Sequence, residues 1–271
     1  MFLTSLLYYL YLTFYYYSLF ITYYPLLITY YPYPMKALIF AAGKGTRLKP
    51  FTDHHPKALA KVNGIPLLER NITYLKGFGI TDFVINVHHF SDQIVDFLKK
   101  NDHFNCRIEI SDESEELLET GGGLIFAKKF LDHGEDFLIM NADILTDINI
   151  NKFVEYHKKI KDFATLAVSD RESSRKLLFN DDLVLRGWLN IQSGEQRLAE
   201  FNKGFKPYAF SGVHCINPVI FDKIKRRGKF SVMEEYLDLM QTEKIHGFLH
   251  DSILIDVGRP ASVTEAEKYF K

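Results

Sequence analysis

From Met35 onward the chain alternates short apolar runs with amphipathic stretches, and this alternation restricts the fold more than any other feature of the sequence. The runs KALIFAA (36–42), DFVINVH (82–88), CRIEISD (106–112), DFLIMNAD (136–143) and FATLAVSD (163–170) read as strands. Strands alternating with amphipathic stretches are the signature of β-α units around a mostly parallel sheet. Between them, residues 66–77 and 91–100 carry apolar side chains at helical spacing. Ser91 ahead of DQIVDFLKK reads as an N-cap, and Gly121 to Gly123 as the opening of a helix LIFAKKF. Past residue 170 the pattern shortens to LVLRGWLN, PYAFSGVHCIN and IHGFLHDSILIDVG, strands with turn signals that complete the sheet and wall a pocket. No Pro-, Gly- or Ser-rich linker interrupts residues 35–271. The expectation is one α/β domain, Rossmann-like, with a mostly parallel mixed sheet flanked by helices.

Residues 1–34 stand apart. They contain no Asp, Glu, Lys or Arg and hold eleven of the sixteen tyrosines. A transmembrane helix over residues 1–24 is physically possible, and the cations that follow would then put the domain on the cytoplasmic side. A signal peptide fits less well, because no positive region precedes the apolar stretch and no small-residue cleavage site follows it. The preferred reading is translated non-coding sequence ahead of a start at Met35. ITYYP occurs twice, at 21–25 and 28–32, and MKALIF is itself a natural opening for a first core strand.

Every formal charge lies in residues 35–271, 33 basic against 34 acidic, so no global field argues for nucleic acid as a partner. No membrane association is expected unless residues 1–34 are real, and the chain is expected as a monomer or small homo-oligomer. The two cysteines, Cys106 and Cys215, form no metal-spaced pair, and a reducing cytoplasm suits them. His54-His55 and His88-His89 are sequence neighbours whose side chains point apart in extended backbone, and the acidic run ESEELLE (113–119) reads as a solvated face.

The chemistry begins where the first strand runs into AGKGTRL. Gly43 and Gly45 lack Cβ atoms and tolerate positive φ, so successive amides can converge into an anion-binding nest. A plain strand-to-helix turn would use the same glycines. The P-loop spacing is absent, and Leu48 stands where a dinucleotide fingerprint requires glycine. What remains is a glycine loop with Arg47, able to fork onto phosphate oxygens, and Lys57 behind Pro56 as a point charge. Asp143 closes DFLIMNAD and Asp256 closes ILID, both at strand ends where open α/β sheets place ligands. Magnesium takes one or two carboxylates plus phosphate oxygens and water, which this pair would supply if the fold joins them. Either aspartate could equally be a turn residue.

AAGKGTRLKPFTDHHPKAL resembles the signature of the sugar-1-phosphate nucleotidyltransferase family, and LLETGGG (117–123), NAD (141–143), FSGVH (210–214) and IDVGRP (255–260) follow in the family's order. LLETGGG, the short length and the missing C-terminal β-helix extension bring the chain nearest to the N-acetylmuramate 1-phosphate uridylyltransferases. The resemblance implies the nucleotide-diphospho-sugar transferase type of fold, with Asp143 and Asp256 holding Mg²⁺. It implies Arg47 on the β- and γ-phosphates of a triphosphate, UTP favoured, and Lys57 near its α-phosphate. Ala42, Gly43, Gly45 and Thr46 would cradle phosphate. Glu119, Thr120, Gly121 and Gly122 would receive the base, with the alternative that the glycines serve helix packing. Asn141, Ser211 and Gly212 would line the site of the sugar 1-phosphate. Lys203 and Lys206 are candidates for its phosphate, although neither sits in the family's Glu-Lys-Pro context. Arg171, Arg175 and Trp188 are further candidates for the sugar pocket, against the plainer reading of solvated cations and a core indole.

The activity implied is transfer of a nucleoside monophosphate to N-acetylmuramate 1-phosphate with release of pyrophosphate. Mannose 1-phosphate with GTP and phosphocholine with CTP are alternatives within the chemistry. A glycosyltransferase is a rival, although its usual Asp-x-Asp is missing because Ile144 and Leu145 follow Asp143. A non-catalytic nucleotide-binding subunit is a further rival, disfavoured by the complete set of two cations and two carboxylates.

Overall fold

A computed structural model describes residues 35–200 and 204–271. The expectations for the 1–34 leader and for Lys203 fall outside those residues. In chain order the strands are β1 (Lys36–Phe40), β2 (Lys61–Val62), β3 (Ile65–Pro66), β4 (Asp82–Val87), β5 (Arg107–Asp112), β6 (Phe137–Asn141) and β7 (Ile144–Thr146), then β8 (Ala164–Ser169), β9 (Arg175–Phe179), β10 (Leu185–Asn190), β11 (Gln196–Leu198), β12 (Lys206–Ile216), β13 (Ile245–Leu249) and β14 (Leu254–Asp256). The five strands expected from the apolar runs all form, each shortened by one or two residues at its ends.

Strands β5, β4, β1 and β6 lie side by side and parallel. β12 then pairs antiparallel with β6. Because β12 is long, it also pairs with β9 through its first residues and with β8 through the rest, so the sheet forks there. One branch continues as the antiparallel meander β9–β10–β11, and the other adds β13 parallel to β8. The sheet is mixed, with its parallel pairing concentrated in the N-terminal half.

Alternation along the central strands divides the core in two. Ala37 and Ile39 of β1 join Leu138 and Met140 of β6 on one face, beneath the helices Leu67–Gly77 and Ser91–Lys100. Leu38 joins Phe137 and Ile139 on the other, with Tyr236 of the helix Val232–Leu239 and Leu124 of the helix Glu119–Phe126. Ser91 is not the cap of its helix. Phe90 holds the cap position in left-handed backbone (φ 55°), Ser91 is the first helical residue, and its Oγ lies 3.2 Å from Ser114 Oγ. The helix expected at Gly121 starts two residues earlier, at Glu119.

A third, smaller cluster positions the chemistry. Leu48 from the glycine loop packs with Val62, Leu67, Leu145, Ile255, Val257 and Ala266. It thereby ties the loop after β1 to the two-stranded ribbon of β7 and β14. The leucine that excludes a dinucleotide fingerprint is therefore the anchor that holds Arg47 beside β14.

Candidate active site

β1 sends the chain outward to β4 on one side, and the chain later returns as β6 on the other. This is the switch point of an open α/β sheet, where the carboxyl ends of neighbouring strands leave a crevice. Gly43 follows β1 and Asp143 follows β6, and both line a cavity of about 190 Å³ together with Lys57, Thr120 and Asn141. Asp143 lies in the turn between β6 and β7 rather than on the strand itself.

Asp256 reaches the same place through the ribbon. β14 pairs antiparallel with β7 so that Asp256 stands opposite Ile144, and Val257 N–H donates to Asp143 O at 2.8 Å. The two carboxylates, 113 positions apart in sequence, are backbone neighbours in space. Each meets one cation. Lys57 Nζ donates to Asp143 Oδ2, and Arg47 Nη2 lies 3.9 Å from Asp256 Oδ2. The Lys57 side chain is nearly buried, whereas Arg47 and Asp256 are about half exposed.

Two glycines make this convergence possible. Gly45 has φ 62°, and a Cβ there would come within 2.8 Å of Lys57 Cβ and 2.9 Å of Thr52 Cγ2. Thr52 Oγ1 fixes the turn by donating to Gly45 O at 2.9 Å. At Gly258 a Cβ would lie 2.8 Å from Arg47 Nη2 and equally close to Asp256 Oδ1, so the bare backbone leaves room for the guanidinium and the carboxylate to rest where they do. Gly43 is not among the positive-φ residues, but the space above it is open, as a loop receiving a ligand requires. Ala42 is buried under the loop and Thr46 is exposed at the start of the turn 46–48.

In the ETGGG stretch the space where side chains would stand is filled by protein. A Cβ on Gly121 would strike the Phe230 ring at 2.3 Å, one on Gly122 would meet Gly228 O at 2.3 Å, and one on Gly123 would meet Glu113 Oε1. These glycines are small because protein packs on them, which is the helix-packing alternative. Thr120 lines the cavity, and its Oγ1 accepts from Val232 N–H at 3.0 Å. Glu119 sits at φ 60° with its carboxylate 3.6 Å from Lys229 Nζ. Nor is the acidic run wholly solvated. Glu113 is buried, accepts from Asn86 Nδ2 and from Leu118 N–H, and burial pushes its carboxyl pKa up.

A second cavity of about 250 Å³ opens off the first, sharing Thr120 and Asn141 with it. Arg175 and Lys176 of β9, Trp188 of β10, and Phe210 and His214 of β12 line it, closed by Val232 and Met233 at the start of a helix. Arg175 and Trp188, sugar-pocket candidates whose plainer readings were a solvated cation and a core indole, are wall residues here; His214 closes the motif FSGVH, and Lys176 was not singled out by the sequence. Ser211 does not face this cavity. It lies between Phe210 and His214 on the opposite side of β12, fully buried, with Oγ 2.8 Å from His250 Nε2. Gly212, at φ 73°, packs on Ile144 and Asn141 and lets β12 bend. Lys206 points away and pairs with Asp181 on the surface at 3.0 Å, a hydrogen bond that raises its pKa. Arg171 is not solvated either, because its Nη2 donates to Phe210 O at 2.9 Å and burial lowers its pKa. His214 is fully buried with Nδ1 2.6 Å from the Tyr236 hydroxyl, and desolvation pushes its pKa down to about 3.

Among the described residues no three His, Cys, Asp or Glu side chains gather as a complete metal cage. Two carboxylates beside a phosphate-sized cavity are instead the donor set suited to magnesium, which keeps water and takes substrate phosphate oxygens as further ligands.

A mixed sheet with a glycine loop and paired carboxylates at its switch point defines a Rossmann-like protein of the nucleotide-diphospho-sugar transferase type. The solved structure of HddC from Yersinia pseudotuberculosis complexed with GMP-PN shares this fold, with a TM-score of 0.72 at 23% identity over 88% of this chain and 100% of that one. The sequence profile of the nucleotidyl transferase family matches residues 36–177. The N-acetylmuramate alpha-1-phosphate uridylyltransferase of Neisseria meningitidis is 31% identical over 233 residues, 86% of this chain and 97% of that protein. The mannose-1-phosphate guanyltransferase of Aspergillus oryzae is also 31% identical, over 83% of this chain, which spans 61% of that protein's length. The chain belongs to the nucleotidyl transferase family.

Proposed function

We propose that this chain is a magnesium-dependent sugar-1-phosphate nucleotidyltransferase that joins a nucleoside monophosphate, from UTP, to N-acetylmuramate 1-phosphate and releases pyrophosphate. The observation that carries the reading is the meeting of Lys57 with Asp143 and of Arg47 with Asp256 across one ribbon, at the mouth of paired cavities. The choice of uridine and of N-acetylmuramate rests on the Neisseria relative, whose length the chain nearly fills. Mannose 1-phosphate with GTP is the second reading, supported by relatives of equal identity but greater length.

The reaction needs no general base, because the attacking phosphate oxygen of the sugar is already anionic at neutral pH. What it needs is two mutually repelling anions held in line and screened. Lys57 would meet the α-phosphate from the cavity wall, and Arg47 the β- and γ-phosphates from the more open side. Both would give up their resting carboxylate partners when the triphosphate arrives. Asp143 and Asp256 would hold Mg²⁺, which when bound supplies charge stabilisation on the phosphate oxygens. Asn141 and Thr120, on the shared wall of the two cavities, would orient the sugar phosphate toward the nucleotide. Such substrates belong to the cytoplasm, and Cys106 and Cys215 are both free thiols.

The test is to supply the full chain with Mg²⁺ and a matrix of four triphosphates and several sugar 1-phosphates, following pyrophosphate. Release with UTP and N-acetylmuramate 1-phosphate above all other pairs supports the reading. Preference for GTP and mannose 1-phosphate would replace it with the second, and no release from any pair would remove both.

A further inference from the structure

The second cavity has an uneven charge inventory. Among the described residues two cations, Arg175 and Lys176, line it, and no Asp or Glu does. Neither side chain has a carboxylate within ion-pair distance among the described residues. Lys176 is only 7% exposed, and its Nζ makes one bond, to Arg171 O at 2.6 Å. An ammonium has three donors, so the site holds a desolvated cation with bonding capacity to spare. Burying such a charge without a counter-ion is costly unless a ligand supplies one. Arg175 stands beside it at the start of β9, with its guanidinium free to form the planar fork that suits a carboxylate. The remaining walls are largely apolar or aromatic, from Trp188, Phe210, Val232 and Met233, as expected of a pocket for a sugar ring carrying non-polar substituents.

We propose that Arg175 and Lys176 read a carboxylate carried by the sugar ring itself, so that the site selects an acidic sugar 1-phosphate over a neutral one. The proposal rests on the nucleotidyltransferase reading above. The substrate's other anion, the 1-phosphate, has to meet the α-phosphorus in the first cavity, which has its own cation in Lys57. Arg175 and Lys176 lie across Thr120 and Asn141 from that point, at the far end of a bound sugar.

A matched pair of substrates isolates the effect. N-acetylmuramate 1-phosphate and N-acetylglucosamine 1-phosphate differ only in the carboxylate-bearing lactyl ether. With the triphosphate that gives the highest turnover, wild-type protein is expected to favour the acidic sugar about 100-fold or more in kcat/KM, since a site built to bind a charged group rejects the analogue without it. Arg175→Gln, at an exposed position where folding is not at stake, should cut that ratio about 10-fold through KM for the acidic sugar, and Lys176→Met similarly. Arg175→Lys should restore part of it. A wild-type ratio near one would overturn the proposal. So would variants that lose equally on both sugars, because they would place the cations on the 1-phosphate or in a structural role. Wild-type protein silent with both sugars would overturn the nucleotidyltransferase reading and this proposal together, whereas active wild type with an unmoved ratio overturns this proposal alone.

Discussion

The phosphate-side cavity takes most of its charge from two short stretches, residues 43–57 and 141–143, that immediately follow adjacent parallel strands. The sugar-side cavity collects its walls from β9, β10, β12 and a helix start near residue 232, elements that meet only after the antiparallel half of the sheet has assembled. The first is a local device on a rigid platform: β1 is fully buried at its centre, and Leu48 pins the loop to the ribbon. The second is a product of tertiary packing. Chemistry common to every substrate can be written into a local motif, whereas selection among substrates is left to the assembled wall.

The two cavities should therefore respond differently, and to different degrees, when their residues are substituted. The largest effect belongs to Arg47→Ala, expected to lower kcat about 100-fold or more while leaving KM for the sugar 1-phosphate within a factor of about two, as for other lost transition-state charge contacts. Steady-state kinetics with each substrate varied would check it, and wild-type turnover would detach Arg47 from the chemistry.

Next comes His214, under the sugar-side wall. Its folded pKa of about 3 lies below the ordinary histidine value of 6.5, so between those values the unfolded chain binds the extra proton. The stability from this group is present above pH 6.5 and is lost as pH falls, by up to about 1.4 kcal/mol per pH unit. Urea midpoints between pH 7 and pH 5 should fall more steeply for wild type than for His214→Asn. The comparison between the two proteins cancels contributions from His250 and Glu113. Parallel slopes would show that His214 is protonated in the folded protein.

Trp188→Ala should then raise KM for the sugar 1-phosphate about 10-fold, or about 1.4 kcal/mol, without moving KM for the triphosphate. A joint rise would mean that the cavities do not work separately. The smallest effect is Ser211→Ala, expected to cost about 1 kcal/mol of stability through the lost His250 bond and to leave both KM values alone. A sugar-specific KM change there would return Ser211 to the binding wall.

The same contrast explains what the sequence disclosed. The parallel strands and the glycine loop were legible because an apolar run fixes each strand locally, and Asp143 and Asp256 stand out in sequence because each closes such a run. Their meeting was not legible from spacing, since it depends on β14 pairing with β7 across more than a hundred residues. On the sugar side the motif FSGVH pointed to the right strand but could not say which face turns inward. Across the irregularity at Gly212, Phe210 and His214 reach the cavity while Ser211 turns to His250. Arg175 and Trp188 looked plain because a cation at a strand start and an indole beside a glycine are unremarkable until β9 and β10 close over β12. In ETGGG the need for small side chains was visible, but its cause, the Phe230 ring and the Gly228 carbonyl against the helix, comes from more than a hundred residues downstream.

Metal binding decides whether the two strand ends hold one ion. In the presence of a non-hydrolysable UTP analogue, equilibrium titration with Mn²⁺ followed by electron paramagnetic resonance should show tight binding in the wild-type protein that weakens about 10-fold or more in both Asp143→Asn and Asp256→Asn. Unchanged Mn²⁺ affinity in either variant would contradict the claim that these two strand ends serve one metal-bound polyphosphate.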